Sequence, residues 1–132
     1  MNPCSRDICT ILAAAGLGLT FATNLFSGQE PATPANTVTV FDTPGDAPGK
    51  TMEGAQGYYY PAVQVRVRNT SYANGYALAF NIQAALHMVG HQTWNGTRYE
   101  VIQSDQDPFH LDYDESNRPR FVCNFSIQRK SL

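Results

Sequence analysis

The sequence predicts an α+β fold: a mixed, mainly antiparallel sheet with two helices packed on one face, so that the domain has two layers. Three observations carry that expectation. Val63, Val65 and Val67 alternate with Gln64, Arg66 and Arg68, the period of a strand with one apolar face. Behind Ser71, the residues Tyr72, Gly75, Tyr76, Ala79, Ile82, Leu86 and Val89 recur at helical steps. The elements run helix, two or three strands, helix, then three strands, an order that suits one sheet with helices on one side. With 132 residues the chain is expected to be a single domain, 1–132, long enough to bury a core without staples.

Taken in order, residues 5–15 read as a helix with Ser5 as N-cap and Asp7 in the first turn, where it meets the positive end of the dipole. Ile8, Leu12 and Ala15 share its apolar face, and Gly16 and Gly18 end it. The apolar run from Ile8 to Ala22 imitates a secretory leader, but Asp7, Thr10 and the two glycines break the pattern. The run is therefore expected to belong to the fold, and it is too short and too broken to cross a membrane. Leu25 and Phe26 begin a short strand, Pro31 and Pro34 impose an extended connection, and residues 38–41 form the next strand.

Residues 43–57 hold four glycines and two prolines around Lys50, with Met52 as the one large apolar side chain, and predict a mobile loop that orders only on a partner. Tyr58, Tyr59 and Tyr60 follow on extended chain and cannot all enter one core, so at least one is expected at the surface. After the strand begun at Pro61, Ser71 caps a helix that Gly90 ends, with Gly75 and Ala79 permitting close approach to the sheet. Residues 99–103 form a strand. Residues 109–113 and 121–127 pair as a terminal hairpin around the turn Asp114-Glu115-Ser116-Asn117.

Nine Lys and Arg against eleven Asp and Glu give a net charge of −2, which supplies no field for binding nucleic acid or anionic lipid. Cys4, Cys9 and Cys123 have no paired spacing and are expected to be reduced thiols of a cytosolic protein. The sequons at Asn69, Asn95 and Asn124 then carry no weight. His87 and His91 are four apart, as metal ligands on a helix would be, but Gly90 falls between them and no third ligand is placed, so they read as helix-end histidines. Asp112, Asp114 and Glu115 could hold a divalent cation, yet they flank a turn that wants such side chains for its own backbone. A small metal-dependent enzyme built on His87, His91, His110 and this acidic turn is thus the weakest alternative. No catalytic motif survives, and no enzyme activity, cofactor or metal is expected.

One resemblance sharpens this. The NLFSGQEP opening, the TVTVFDT strand, the stretch PAVQVRVRNTSYANGYALAFNIQAAL and the terminal RPRFVCNFSIQRK resemble the minor capsid or tail-terminator family of long-tailed (siphovirus-type) bacteriophages, over nearly the whole chain. The resemblance implies a virion structural protein, assembled in the host bacterial cytoplasm, with a tail-terminator-like α/β fold. It implies a homo-oligomeric, probably six-membered, ring on the head-proximal end of the tail tube. Its partners would be copies of itself, the major tail tube protein and a head-completion or neck protein. DNA would only pass through the lumen, and no membrane is involved. A neck or tail-completion protein bound to the head connector is the alternative from the same neighbourhood. Carried onto this chain, the interface is expected at Gln64, Arg66 and Arg68 on the polar strand face, at Tyr58 and Tyr59, and at Lys50 and Met52 in the loop. Reversing Arg66 and Arg68 to Glu is expected to abolish assembly and spare the fold, because exposed charges contribute little to stability.

Overall fold

The computed structural model describes residues 1–48 and 57–131. Two helices, α1 (Cys4–Ala14) and α2 (Tyr72–Leu86), accompany seven strands: β1 (Leu25–Ser27), β2 (Thr37–Asp46), β3 (Tyr60–Arg68), β4 (Gln92–Trp94), β5 (Thr97–Ser104), β6 (Phe109–Tyr113) and β7 (Pro119–Ser131). They form one sheet ordered β1-β2-β3-β7-β5-β4, with β6 also paired to β7. Only β1 and β2 run parallel; the remaining pairs are antiparallel, so the sheet is mixed as expected. The long strand β7 meets β3 along one side, and along the other β6 at residues 119–122 and β5 at residues 125–131.

The alternation read from the sequence sets the inner face. Val38, Val40, Val63, Val65, Val67, Phe121, Cys123, Phe125 and Ile127 are buried with Ile8, Leu12, Ala79, Ile82 and Leu86 of the helices in one cluster. Helix α1 packs on β1, β2 and β3, α2 packs on β7, β3 and β5, and the helices touch each other. At Gly75 the approach is so close that a Cβ would stand 2.8 Å from the Phe121 ring, which is why this position of α2 takes glycine.

Several boundaries differ from the sequence reading. Ser5 is not the cap of α1: Pro3 holds that position and makes no side-chain cap bond. The free amide of Ser5 donates instead to Asp42 Oδ1 at 2.8 Å, and its hydroxyl reaches Asp42 Oδ2 at 2.7 Å, so a carboxylate from the exposed half of β2 does the capping. Ala15 is exposed, outside the apolar face. Asp7 is wholly buried. Tyr99 donates its hydroxyl to Asp7 Oδ2 at 2.5 Å, Asn95 donates to Oδ1 at 2.8 Å, and Arg129 stands 3.7 Å away with its Nη1 on the Tyr99 oxygen. Burial, with the neighbouring Cys4 and Asp7, pushes the Tyr99 phenol well above its ordinary range, and burial lifts Cys4, Cys9 and Cys123 to about 12. All three cysteines are free and buried, consistent with inert thiols.

Helix α2 is shorter than its apolar pattern implied. It stops at Leu86, His87 is extended, and Met88 and Val89 turn away to bond Ile102 of β5. Gly90 lies against β5, where a Cβ would sit 2.5 Å from the Glu100 carbonyl. The hairpin β4–β5 was not expected from the sequence. Its turn is Asn95-Gly96, both at positive φ (50° and 77°), the dipeptide that two-residue hairpins favour, so the signal was present and was passed over as a sequon. The expected mobile loop at 43–57 is also shortened, since Thr43 and Asp46 pair with Ala62 and Tyr60 across a bulge. Lys50 and Met52 lie outside the described residues.

Candidate functional site

The outer sheet face carries the polar residues that the strand pattern placed there. Arg66 Nη2 donates to Gln64 Oε1 at 2.9 Å, and Gln64 Nε2 donates to Asn124 Oδ1 at 3.2 Å, so the three side chains form a chain across β3 and β7. The Arg66 guanidinium lies 4.8 Å over the ring of Phe41, a cation–π contact that holds it flat on the sheet. Gln64 and Arg66 are half-buried and remain within reach of a partner. Tyr58 and Tyr59 are half-buried near the start of β3; Lys130 covers the Tyr58 ring at 5.4 Å, and Tyr59 exchanges backbone hydrogen bonds with Arg129.

Arg68 corrects the sequence reading. It is 3% exposed, and its fork is filled by the chain itself. Nη2 donates to the carbonyls of Pro31 (2.6 Å) and Pro34 (2.9 Å), Nε to that of Ala35 (3.2 Å), and Nη1 to Glu30 Oε1 (3.3 Å). The proline segment that the sequence placed between two strands thus crosses the end of the outer face as a strap, and Arg68 is the peg that holds it. Arg120 shares Glu30 at 3.0 Å and grips Asp112 with two bonds of 2.6 Å, while Arg118 binds Asp114 at 2.7 Å and the Ala32 carbonyl at 3.2 Å. Reversal of Arg66 and Arg68 together would therefore break the monomer, because one of the two is a buried structural cation.

The acidic turn behaves as the turn reading expected. Asp114 Oδ1 accepts the backbone amides of Ser116 (3.0 Å) and Arg118 (2.7 Å). Burial acts to raise the Asp114 pKa, but the amide and guanidinium of Arg118 outweigh it and the net shift is downward; the Arg120 hydrogen bonds lower that of Asp112. Among the described residues no group of three or more His, Cys, Asp or Glu is arranged to hold a metal ion. His87 Nδ1 accepts the Ser104 amide at 3.0 Å, His91 is largely exposed beside Glu100 at 3.3 Å, and His110 packs at a tilt against the rings of Tyr72 and Tyr113. No described helix is long and apolar enough to cross a membrane.

Sequence reasoning missed one surface. Tyr72 and Tyr76, assigned to the buried face of α2, are 49% and 42% exposed, and the strand β6 beside them exposes Phe109, Leu111 and Tyr113. The signal was available. Gly75, Ala79, Ile82 and Leu86 alone complete one buried helical stripe, and the two tyrosines are surplus to it.

The outer sheet face and the exposed aromatics of α2 and β6 are thus surfaces open to association. Comparison with known proteins gives the family. The family described as Bacteriophage tail terminator protein matches residues 11–130. The chain belongs to the bacteriophage tail terminator family, and so is a phage-type virion structural protein. Curated protein sequences gave no match. A chain in the solved structure titled "Virion of native gene transfer agent (GTA) particle" is similar in fold, with a TM-score of 0.64 and 16% identity, covering 98% of this chain and 96% of that one.

Proposed function

We propose that the protein caps the head-proximal end of a phage tail tube as a homo-oligomeric, hexameric ring and offers its free surface to a head-completion or neck protein. The family match over residues 11–130 is the observation that carries this reading. In this arrangement the two helices cover one sheet face as a second layer, and the outer face with Gln64 and Arg66, together with Tyr58 and Tyr59 and the segment holding Lys50 and Met52, contacts neighbouring proteins. Arg68 serves by holding the strap that shapes this face. The net charge of −2 suits a lumen through which DNA passes without adhering. Assembly takes place in the host bacterial cytoplasm and the product resides at the tail–head junction.

The test is electron microscopy of purified protein mixed with tail tubes made of the major tail protein. Capped tube ends and arrested elongation are expected. Binding to connector-bearing heads with no effect on tubes would point to the neck role instead.

A further inference from the structure

The strap between β1 and β2, residues 28–36, is fastened mainly by guanidinium groups. Arg68 binds the carbonyls of Pro31, Pro34 and Ala35, Arg118 binds that of Ala32, and Arg68 and Arg120 share Oε1 of Glu30. Among the described residues no backbone amide from 29 to 36 donates a hydrogen bond, and Ala32, Thr33 and Pro34 are exposed. The ends are tied separately. Gly28, at φ 83°, donates to the Val40 carbonyl at 2.8 Å, and the Asn36 side chain accepts the Thr70 amide at 2.9 Å. The stretch between these ties can swing away with the parallel pairing of Leu25–Ser27 to Val38–Val40 left whole.

What it would uncover is a groove already shaped to hold peptide. Arg68 of β3 faces Arg120 of β7 in register, with Arg118 beside them. Glu30 fills this place imperfectly: its Oε1 takes both guanidiniums, while Oε2 is buried with no partner. A carboxylate free of the strap's tethers can present both oxygens to the fork, the stronger arrangement. A cleft of about 420 Å³ between Glu30, Pro31 and Ala32 and the turn Asp114-Glu115-Ser116 gives access from solvent.

We propose that this groove takes a proline-bearing peptide arm of a partner protein with a single carboxylate side chain, which displaces the strap and seats its carboxylate on Arg68 and Arg120. The present occupant argues for that chemistry, because what the arginines already hold is one carboxylate and four main-chain carbonyls of such a segment. Charge sets the limit. Asp114 and the exposed Glu115 line the cleft and the chain carries a net −2, so a polyanion such as a nucleic-acid strand is repelled where one carboxylate on an otherwise neutral peptide is admitted. The exchange involves one chain and one peptide and is independent of the ring reading.

The probe is a fluorescently labelled synthetic peptide of residues 28–36, added to the full chain and followed by anisotropy. It is expected to bind the Glu30→Gln chain, whose own strap is loosened, at least about tenfold tighter than the wild type, and to lose about tenfold when the peptide's own glutamate is replaced by glutamine. At about 1 mM it should also expose the strap of the wild-type chain to protease near Ala32, mapped by mass spectrometry, while its glutamine form should not. Should Glu30→Gln fail to fold, by circular dichroism, this wild-type measurement decides alone. No binding to either chain at about 1 mM, binding that ignores the peptide's glutamate, or binding that leaves the strap as resistant as before overturns the exchange. Tube capping is read separately, so each of these failures leaves the ring reading standing.

Discussion

Two clusters in which arginine meets carboxylate, apart from the Arg98–Glu100 pair within β5, behave as different materials. On the inner face, Asp7 is sealed between α1, β5 and β7; its partners Tyr99 and Arg129 are buried, and Asn95 reaches it from the exposed β4–β5 turn. On the outer face, Glu30, Asp112 and Asp114 share Arg68, Arg118 and Arg120 at the edge of the strap, where water reaches all but Arg68. Burial makes the inner set hard to break, and it raises the Tyr99 phenol. The outer set is held by the number of its bonds, and the Arg120–Asp112 pair at its rim is open to screening.

The sharpest way to break this contrast is Asp7→Ala. It leaves the Tyr99 hydroxyl buried without its acceptor and Arg129 buried without a counter-charge, and is expected to destabilise the fold by about 3–5 kcal/mol, read by urea unfolding. Asp7→Leu combined with Arg129→Met should recover most of that loss, because it removes both charges; an equally unstable double variant would show that the network, and not the orphaned charge, is what matters. Next comes Arg68→Ala, which strips donors from three carbonyls and from Glu30. It is expected to cost about 2–3 kcal/mol and to open the strap to protease near Ala32, the cleavage being mapped by mass spectrometry.

Acid should weaken the outer set. Asp112 and Asp114 have folded pKa values below their unfolded ones, so their contribution is fully present above about pH 4, the unfolded carboxylate range, and is lost as pH falls through the lower folded values. Melting temperature is expected to fall over that window, and Asp112→Asn should flatten the dependence. The smallest effect belongs to Arg66→Ala. Removing its contacts with Gln64 and Phe41 is expected to change stability by less than ~1 kcal/mol, while tube capping, measured alongside, reports whether this residue faces a partner.

The same division marks what could be read from the sequence. Val63, Val65 and Val67 announced the inner face, Ser71 its cap on α2 (its hydroxyl accepts the Asn74 amide at 3.3 Å), and Asp114 its turn, because each signal lies within a few residues of its effect. Arg68 looked like an exposed strand charge because the carbonyls that bury it are more than thirty residues away, in a segment whose path over the sheet no local pattern encodes. Asp7 looked like a dipole partner for the same reason: Tyr99 and Asn95 come to it from the far side of the chain. Of the expected interface, Gln64 and Arg66 lie together as the alternation required, whereas the exposed aromatics were hidden by counting Tyr72 and Tyr76 into a helix face already complete.

The position of β7 has a consequence for synthesis. It follows in sequence every strand it joins, and it is the seam between β3 on one side and β5 and β6 on the other. A nascent chain emerging from the ribosome therefore exposes these strands with their shared partner still in the exit tunnel, and the sheet can close only once residues 119–131 are out. Until then the valine face of β3 and the unpaired edges of β3, β5 and β6 are available to other nascent chains. Slow codons ahead of β7 should promote aggregation.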